Sequence, residues 1–183
     1  YLIEEVAKVV AVKGNDVEIN IDSVGEPFCY PQLEKLVLGL RTISRVQKIS
    51  IQTNGTLWKD IPVDVINLSF HALDPMLARK LAQSPCMDIE KVKEFGVRYK
   101  KKGVTVRLCP VWIPGVNDGE IPKIILFAKE HDFQLGIQKY EIYTHSRKHE
   151  KVKPQSWYQF YTQIKKWEKE FGLSLQVTAK ELG

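Results

Sequence analysis

The sequence predicts an α/β protein in which a parallel sheet is flanked by helices. Three observations lead there. Strand-like and helix-like stretches alternate five times along the 183 residues, a pattern that produces crossover-connected parallel strands. The strand-like stretches are short, period-two and rich in β-branched residues. Their polar and unusual residues collect at the carboxyl ends, the face on which a parallel (β/α) barrel assembles its site.

Taken in order, Leu2, Val6, Val9 and Val10 lie at helical spacing, with Glu4 and Glu5 early, Lys13 late and Gly14 as a stop. No helix-start signal precedes Tyr1, so the chain is expected to be truncated at its N-terminus. Asp16 to Ile21 alternates and reads as a strand. Pro31 to Leu40 reads as a helix, and Val46 to Ile51 as a second strand closing on Gln52-Thr53-Asn54-Gly55. Thr56 to Pro62 is a short helical or irregular connection, and Val63 to Phe70 is a third strand. Asp74-Pro75 opens a helix to Ala82, since proline suits the first helical position. A second helix spans Ile89 to Lys102, stopped by Gly103. Val104 to Cys109 is a fourth strand, Pro110 to Asp118 a loop, Ile121 to Glu130 a helix and Gln134 to Tyr143 a fifth strand. Pro154 to Phe171 is an amphipathic helix whose Trp157, Phe160, Tyr161, Ile164 and Trp167 are spaced for core packing, and Leu173 to Val177 a last short strand.

A single domain over residues 1–183 is expected, with residues 150–183 forming the C-terminal helix and short strand. No apolar run is long enough to span a membrane, and the first residues do not read as a secretory signal. The net charge of +5 permits a phosphorylated or nucleic-acid partner without demanding one. Cys29, Cys86 and Cys109 form no zinc spacing, and their odd number argues against a secreted disulfide framework, so a cytoplasmic location is expected. No dinucleotide fingerprint, phosphate-loop lysine or serine elbow occurs.

The central stretch is Ile21-Asp22-Ser23-Val24-Gly25-Glu26-Pro27, a small-residue corner between a strand and a helix. Gly25 allows close backbone approach, and Pro27 biases Glu26 toward an extended conformation. A carboxylate there suits an ammonium or hydroxyl of a small ligand. Alternation places Thr105, Arg107 and Cys109 on one face of their strand, opposite Val104, Val106 and Leu108. An inward arginine needs an anion, from a ligand or from an internal acid.

These strand ends resemble the radical S-adenosylmethionine (SAM) superfamily. Ser23-Val24-Gly25-Glu26-Pro27 is similar to its GGE motif with valine for the first glycine. Thr53-Asn54-Gly55 resembles TNG, and Ser69-Phe70-His71-Ala72 resembles the strand end SLHA. Pro114-Gly115-Val116-Asn117-Asp118 resembles the loop after the following strand. The likeness extends over Tyr1 to Tyr143 and is nearest to an uncharacterised archaeal radical-SAM group; the valine corner is also similar to the tRNA wyosine-synthesis branch.

The resemblance implies a partial (β/α)6 barrel and SAM as cofactor. It implies a [4Fe–4S] cluster on a Cys-x3-Cys-x2-Cys loop ahead of Tyr1, so this chain would lack that loop and its first strand, hold no metal ligands and be inactive alone. It implies cofactor contacts from Ser23, Val24, Gly25, Glu26, Thr53, Asn54, Ser69, His71, Arg107 and Cys109. Gln138, Lys139 and Tyr140 would face substrate. The implied activity is reductive SAM cleavage to a 5′-deoxyadenosyl radical acting on a small-molecule or RNA substrate, with an external electron donor. Two alternatives are a tRNA base-modifying radical SAM enzyme and a cluster-free nucleoside- or RNA-binding barrel.

Overall fold

The computed structural model describes residues 1–14, 16–22, 24–142 and 152–175. They fall into two compact units: residues 1–69 with 90–107, and residues 70–89 with 108–183.

In the first unit, α1 (Leu2–Lys13) ends on Gly14, whose left-handed backbone returns its N–H to the Val10 carbonyl. The strands β1 (Val17–Ile21), β2 (Val46–Thr53) and β3 (Val65–Leu68) follow. They run parallel, with Ile19 beside Ile49, Ile51 beside Ile66 and Gln52 beside Asn67. Two further helices belong here, α2 (Leu33–Arg41) and α4 (Ile89–Lys101). The strand β4 (Thr105–Leu108) alternates between half-buried and buried positions, with Arg107 half-buried. Residues 56–62 are irregular, the second of the two forms the sequence allows there.

The core of this unit is one face of the strands, where Ile49, Ile51, Ile66, Leu68 and Val106 are buried together with Phe28, Val37, Val92, Phe95 and Tyr99. Burying side chains of this size contributes about 1.5–3 kcal/mol each. The Tyr99 hydroxyl donates to the Lys59 carbonyl and accepts from the Ile61 amide, so the irregular segment 56–62 is tied to α4. Burial pushes the Tyr99 hydroxyl pKa up to about 12.

The opposite face is polar. Asn20 accepts from Ser50 at 2.8 Å and from Asn67 at 3.4 Å, Asn67 accepts from Arg107 at 3.4 Å, and Gln52 donates to Ser69 at 2.9 Å. Parallel strands covered by helices on both faces read as continuous apolar runs. These strands alternate instead, because one face carries amides and hydroxyls.

The second unit holds α3 (Pro75–Ala82), β5 (Val111–Trp112), α5 (Glu120–Glu130), β6 (Gln134–Leu135), β7 (Gln138–Lys139) and α6 (Trp157–Phe171). Asp74 caps α3 by accepting from the Leu77 amide at 2.7 Å. A reciprocal Ser156–Gln159 capping box opens α6. The buried stripe Phe160, Ile164 and Trp167 holds Trp112, whose ring stacks on Phe160 and meets Trp167 edge-on. The α6 aromatics thus include the core stripe that the spacing predicts, although Trp157 and Tyr158 are exposed.

Two expectations are corrected. The strand expected from Gln134 to Tyr143 is broken into β6 and β7, and Tyr143 lies outside the described residues. Its partner segment contains Pro110, which has no N–H to donate; across the break Gly136 N–H bonds the Leu108 carbonyl and Gln138 N–H that of Pro110, and beyond it Val111 and Trp112 pair with Gln138 and Lys139. The stretch Leu173 to Leu175 is irregular, and the rest of the expected last strand lies outside the described residues.

Candidate functional site

In the first unit the corner after β1 is built around the Glu26 carboxylate. One oxygen accepts from the Phe28 amide at 3.0 Å and from the Thr53 hydroxyl at 2.7 Å; the other accepts from the Asn54 amide at 2.8 Å. Pro27 opens a short 3-10 turn, Pro27–Cys29, that directs the Phe28 N–H back at Glu26. The carboxylate thus ties the end of β1 to the end of β2. Gly25 has φ 144° and nothing within 4 Å of where a Cβ would sit, so this corner is an open ridge. The Val24 side chain is fully exposed beside it. Ser23, the first residue of the motif, lies outside the described residues.

Thr53 is 2% exposed, gives its hydroxyl proton to Glu26 and accepts from the Gly55 amide at 3.1 Å. It therefore places Glu26, with no proton left to donate elsewhere. Asn54 folds back on itself, accepting from the Thr56 amide and hydroxyl. Gly55, at φ 69°, is required twice over, because a Cβ would lie 2.7 Å from Leu68. At the next strand end, the Ser69 amide donates to the Thr53 carbonyl at 2.8 Å and its hydroxyl accepts from Gln52. Ser69 and Arg107 share the polar face described above. Sequence reasoning found these two and missed Asn20, Gln52 and Asn67, although the signal was present as polar residues at every second strand position.

In the second unit, His71, Gln138, Lys139 and Tyr140 line one cavity of about 390 Å³, with Leu81, Val111 and Ile113 among its apolar walls. The His71 Nδ1 accepts the Val111 amide at 3.1 Å. Desolvation pushes the His71 pKa down to about 4. Lys139 is held between the Glu141 carboxylate and the face of Trp157, 4.8 Å from the ring centre. Tyr140 is 9% exposed, and Cys109 is buried. Asn117, 1% exposed, donates to the carbonyls of His71 and Val111 at 2.9 Å each and accepts from the Ile113 amide at 2.7 Å. Glu120 accepts from the amides of Leu73 and Asp74 at 2.6 and 2.8 Å and pairs with Lys123. The motif around Asn117 was legible in the sequence, while its function as a clamp on residue 71 was not. His131 is half-buried, with its ring against Phe127 and Phe133. His145 and His149 lie outside the described residues.

Among the described residues no group of three or more histidine, cysteine or acidic side chains is placed to hold a metal. Cys29 and Cys86 are exposed and Cys109 is buried. These thiols do not fit as the ligand set of a [4Fe–4S] cluster, which needs several thiolates converging on one cuboid. No helix among the described residues is long and apolar enough to cross a membrane.

Comparison with known proteins agrees with the strand-end motifs. The Radical SAM superfamily model matches residues 1–128. An uncharacterized protein of Methanocaldococcus jannaschii is 29% identical over 93% of this chain and 46% of its own length. The GTP 3′,8-cyclase of Aquifex aeolicus is 29% identical over 75% of this chain and 44% of its own length. The chain thus spans less than half the length of these relatives. Among solved structures, Streptococcus suis SuiB superposes with a TM-score of 0.72 at 16% identity, over 94% of this chain and 41% of that one. Its form bound to S-adenosylmethionine gives 0.68 at 16% identity, over 92% and 40%. The fold is α/β with the parallel sheet of the radical SAM enzymes, and with its family model matched over 128 of 183 residues this chain belongs to the Radical SAM superfamily.

Proposed function

We propose that the strand-end site of the first unit binds the methionine end of SAM and that the protein is the core of a radical SAM enzyme. The observation that carries this reading is the Glu26 carboxylate, fixed by Thr53, Asn54 and Phe28 beside the open Gly25 ridge. The donor set fits the ligand. An ammonium meets the Glu26 carboxylate and the backbone carbonyls of Val24 and Gly25, and Asn54 borders them. A carboxylate or ribose hydroxyl meets Ser69 and the Arg107 guanidinium on the polar face. When bound and cleaved by one electron from an external donor, with methionine as the leaving group, SAM would supply the 5′-deoxyadenosyl group that takes a hydrogen atom from substrate. The chain's own residues bind, orient and exclude competing donors. Its thiols do not supply the cluster, so no step is assigned to them.

The cavity of the second unit is a second candidate binding site. Its apolar walls and the His71 ring suit a flat, largely apolar ring such as a nucleoside base, with Gln138, Lys139 and Tyr140 as polar contacts and Cys109 as a small buried neighbour in the same unit. A purine nucleotide is the substrate class favoured by the GTP 3′,8-cyclase relative. An external electron donor would supply the reducing electron.

Calorimetric titration of SAM into native protein carrying its iron–sulfur cluster tests the first reading. Replacing Arg107 by leucine is expected to weaken binding by about 1.5–3 kcal/mol while leaving the denaturant midpoint nearly unchanged. Arg107→Lys should lose less, because it keeps charge without the planar fork. Unchanged SAM affinity with about 3–5 kcal/mol of stability lost would show that Arg107 is a structural ion-pair member instead.

A further inference from the structure

An amide N–H can point at an imidazole nitrogen only if that nitrogen carries a lone pair. The Val111 N–H is 3.1 Å from His71 Nδ1, so the ring proton sits on Nε2. A protonated ring would set two N–H groups against each other. The two residues that make this bond are held together by one buried side chain. Asn117 donates one carboxamide to both of their carbonyls, at 2.9 Å each, and its oxygen takes the Ile113 amide at 2.7 Å. Both donors and the acceptor of the Asn117 side chain are therefore engaged. The charged side chains on the same cavity are Lys139 and Glu141, which neutralise each other; Glu120, on α5, is turned to the Leu73 and Asp74 amides and to Lys123, and Asp74 caps α3.

We propose that Asn117 is a positioning residue that holds His71 as an uncharged Nε2–H donor on the wall of the second-unit cavity, and that this cavity selects ligands presenting an uncharged acceptor, a ring nitrogen or a carbonyl oxygen, on a flat apolar body. The ligand half of this inference rests on the reading of the cavity as a nucleoside site; the positioning half does not. His71 on this account neither gives nor takes a proton during a reaction. Asparagine is the side chain required, because aspartate at 117 would face two carbonyls with a carboxylate and glutamine is one methylene too long for the same three bonds.

The test is long-range nitrogen NMR of the His71 ring in the 183-residue chain, with adenosine as the ligand probe. Wild type should show Nε2–H with a bare Nδ1 at neutral pH, and adenosine should perturb the Nε2 resonance. Asn117→Ala, checked by circular dichroism for retained fold, should mix the tautomers and let the ring titrate near an ordinary histidine. His71→Gln, which keeps a distal N–H, should bind adenosine within a few-fold of wild type, and His71→Leu should lose on the order of tenfold, about 1.4 kcal/mol. An Nδ1–H tautomer in wild type would overturn the proposal, as would an Asn117→Ala ring signature identical to wild type. If Asn117→Ala does not fold, Asn117→Ser, which keeps one hydroxyl donor, gives the same readout, and the wild-type tautomer alone still decides the first half. A wild type with the expected tautomer that ignores adenosine would overturn the nucleoside reading and leave the positioning role standing.

Discussion

Two glutamates in separate units tie strand-end loops in the same way and differ in what else they hold. Glu26 accepts two amides and the Thr53 hydroxyl; Glu120 accepts two amides and the Lys123 ammonium. Glu26 is half-buried beside an open glycine ridge, whereas Glu120 is 5% exposed. Burial works to raise the Glu120 pKa, but Lys123 and the Leu73 and Asp74 amides outweigh it and hold it below the usual carboxylate value. A carboxylate neutralised by its own cation and buried serves the fold. One whose partners are a hydroxyl and amides has no cation of its own, and on the proposed function that leaves it to meet a ligand's ammonium.

The sharpest way to break that contrast is to remove each carboxylate. Glu120→Ala takes the acceptor from the Leu73 and Asp74 amides and from Lys123 and empties a buried position, and should cost about 2–4 kcal/mol in urea unfolding. Glu26→Ala leaves the Phe28 and Asn54 amides without their acceptor at a half-buried corner and should cost about 1–2 kcal/mol, with the larger effect on SAM affinity. Equal stability losses, or a larger one at Glu26, would end the distinction between a structural and a ligand-facing carboxylate.

Acid should separate the units next. The His71 pKa is pushed down from 6.5 to about 4, so the unfolded chain binds the proton more readily than the folded one. Stability from this group is therefore complete above its unfolded value and is lost as pH falls from 6.5 to about 4. The loss is up to roughly 3 kcal/mol. Glu120, with its lowered carboxyl, has the same sign but acts below its ordinary 4.5. Urea midpoints between these limits should fall in wild type and stay nearly flat in His71→Gln. A flat wild-type profile would show that the buried ring is not there to be charged.

Much of this was legible in the residues. Alternation gave the parallel α/β class, and Asp74-Pro75 and the Ser156–Gln159 spacing mark helix starts that the structure keeps. The strand-end motifs located Glu26, Thr53, Ser69 and His71. What was hidden depends on long-range hydrogen bonds. That Thr53 spends its proton on Glu26, or that Asn117 reaches back 46 residues to the His71 carbonyl, has no local signature. The broken strand after Gln134 was concealed for a related reason: its own sequence alternates well, and the defect lies in Pro110 of the partner segment.

The two glycines that flank the Glu26 network separate stability from ligand binding in the same way. Gly55 sits at φ 69° with Leu68 2.7 Å and Val92 3.2 Å from a built Cβ, so Gly55→Ala combines a left-handed backbone with overpacking of a buried contact. About 2–3 kcal/mol of stability should go. Gly25 is at φ 144° with nothing within 4 Å, so Gly25→Ala carries a backbone penalty alone, on the order of 1–2 kcal/mol. Its consequence for SAM should be disproportionate if the ridge is a place of close approach, because the added methyl stands in space the folded chain itself leaves open. Paired urea melts and SAM titrations separate the two: Gly55→Ala should move the melt more than the affinity, and Gly25→Ala the affinity more than the melt. A Gly25→Ala protein that binds SAM as wild type does would mean that this glycine answers only to the turn, and that the Glu26 carboxylate beside it is holding two strands together and nothing more.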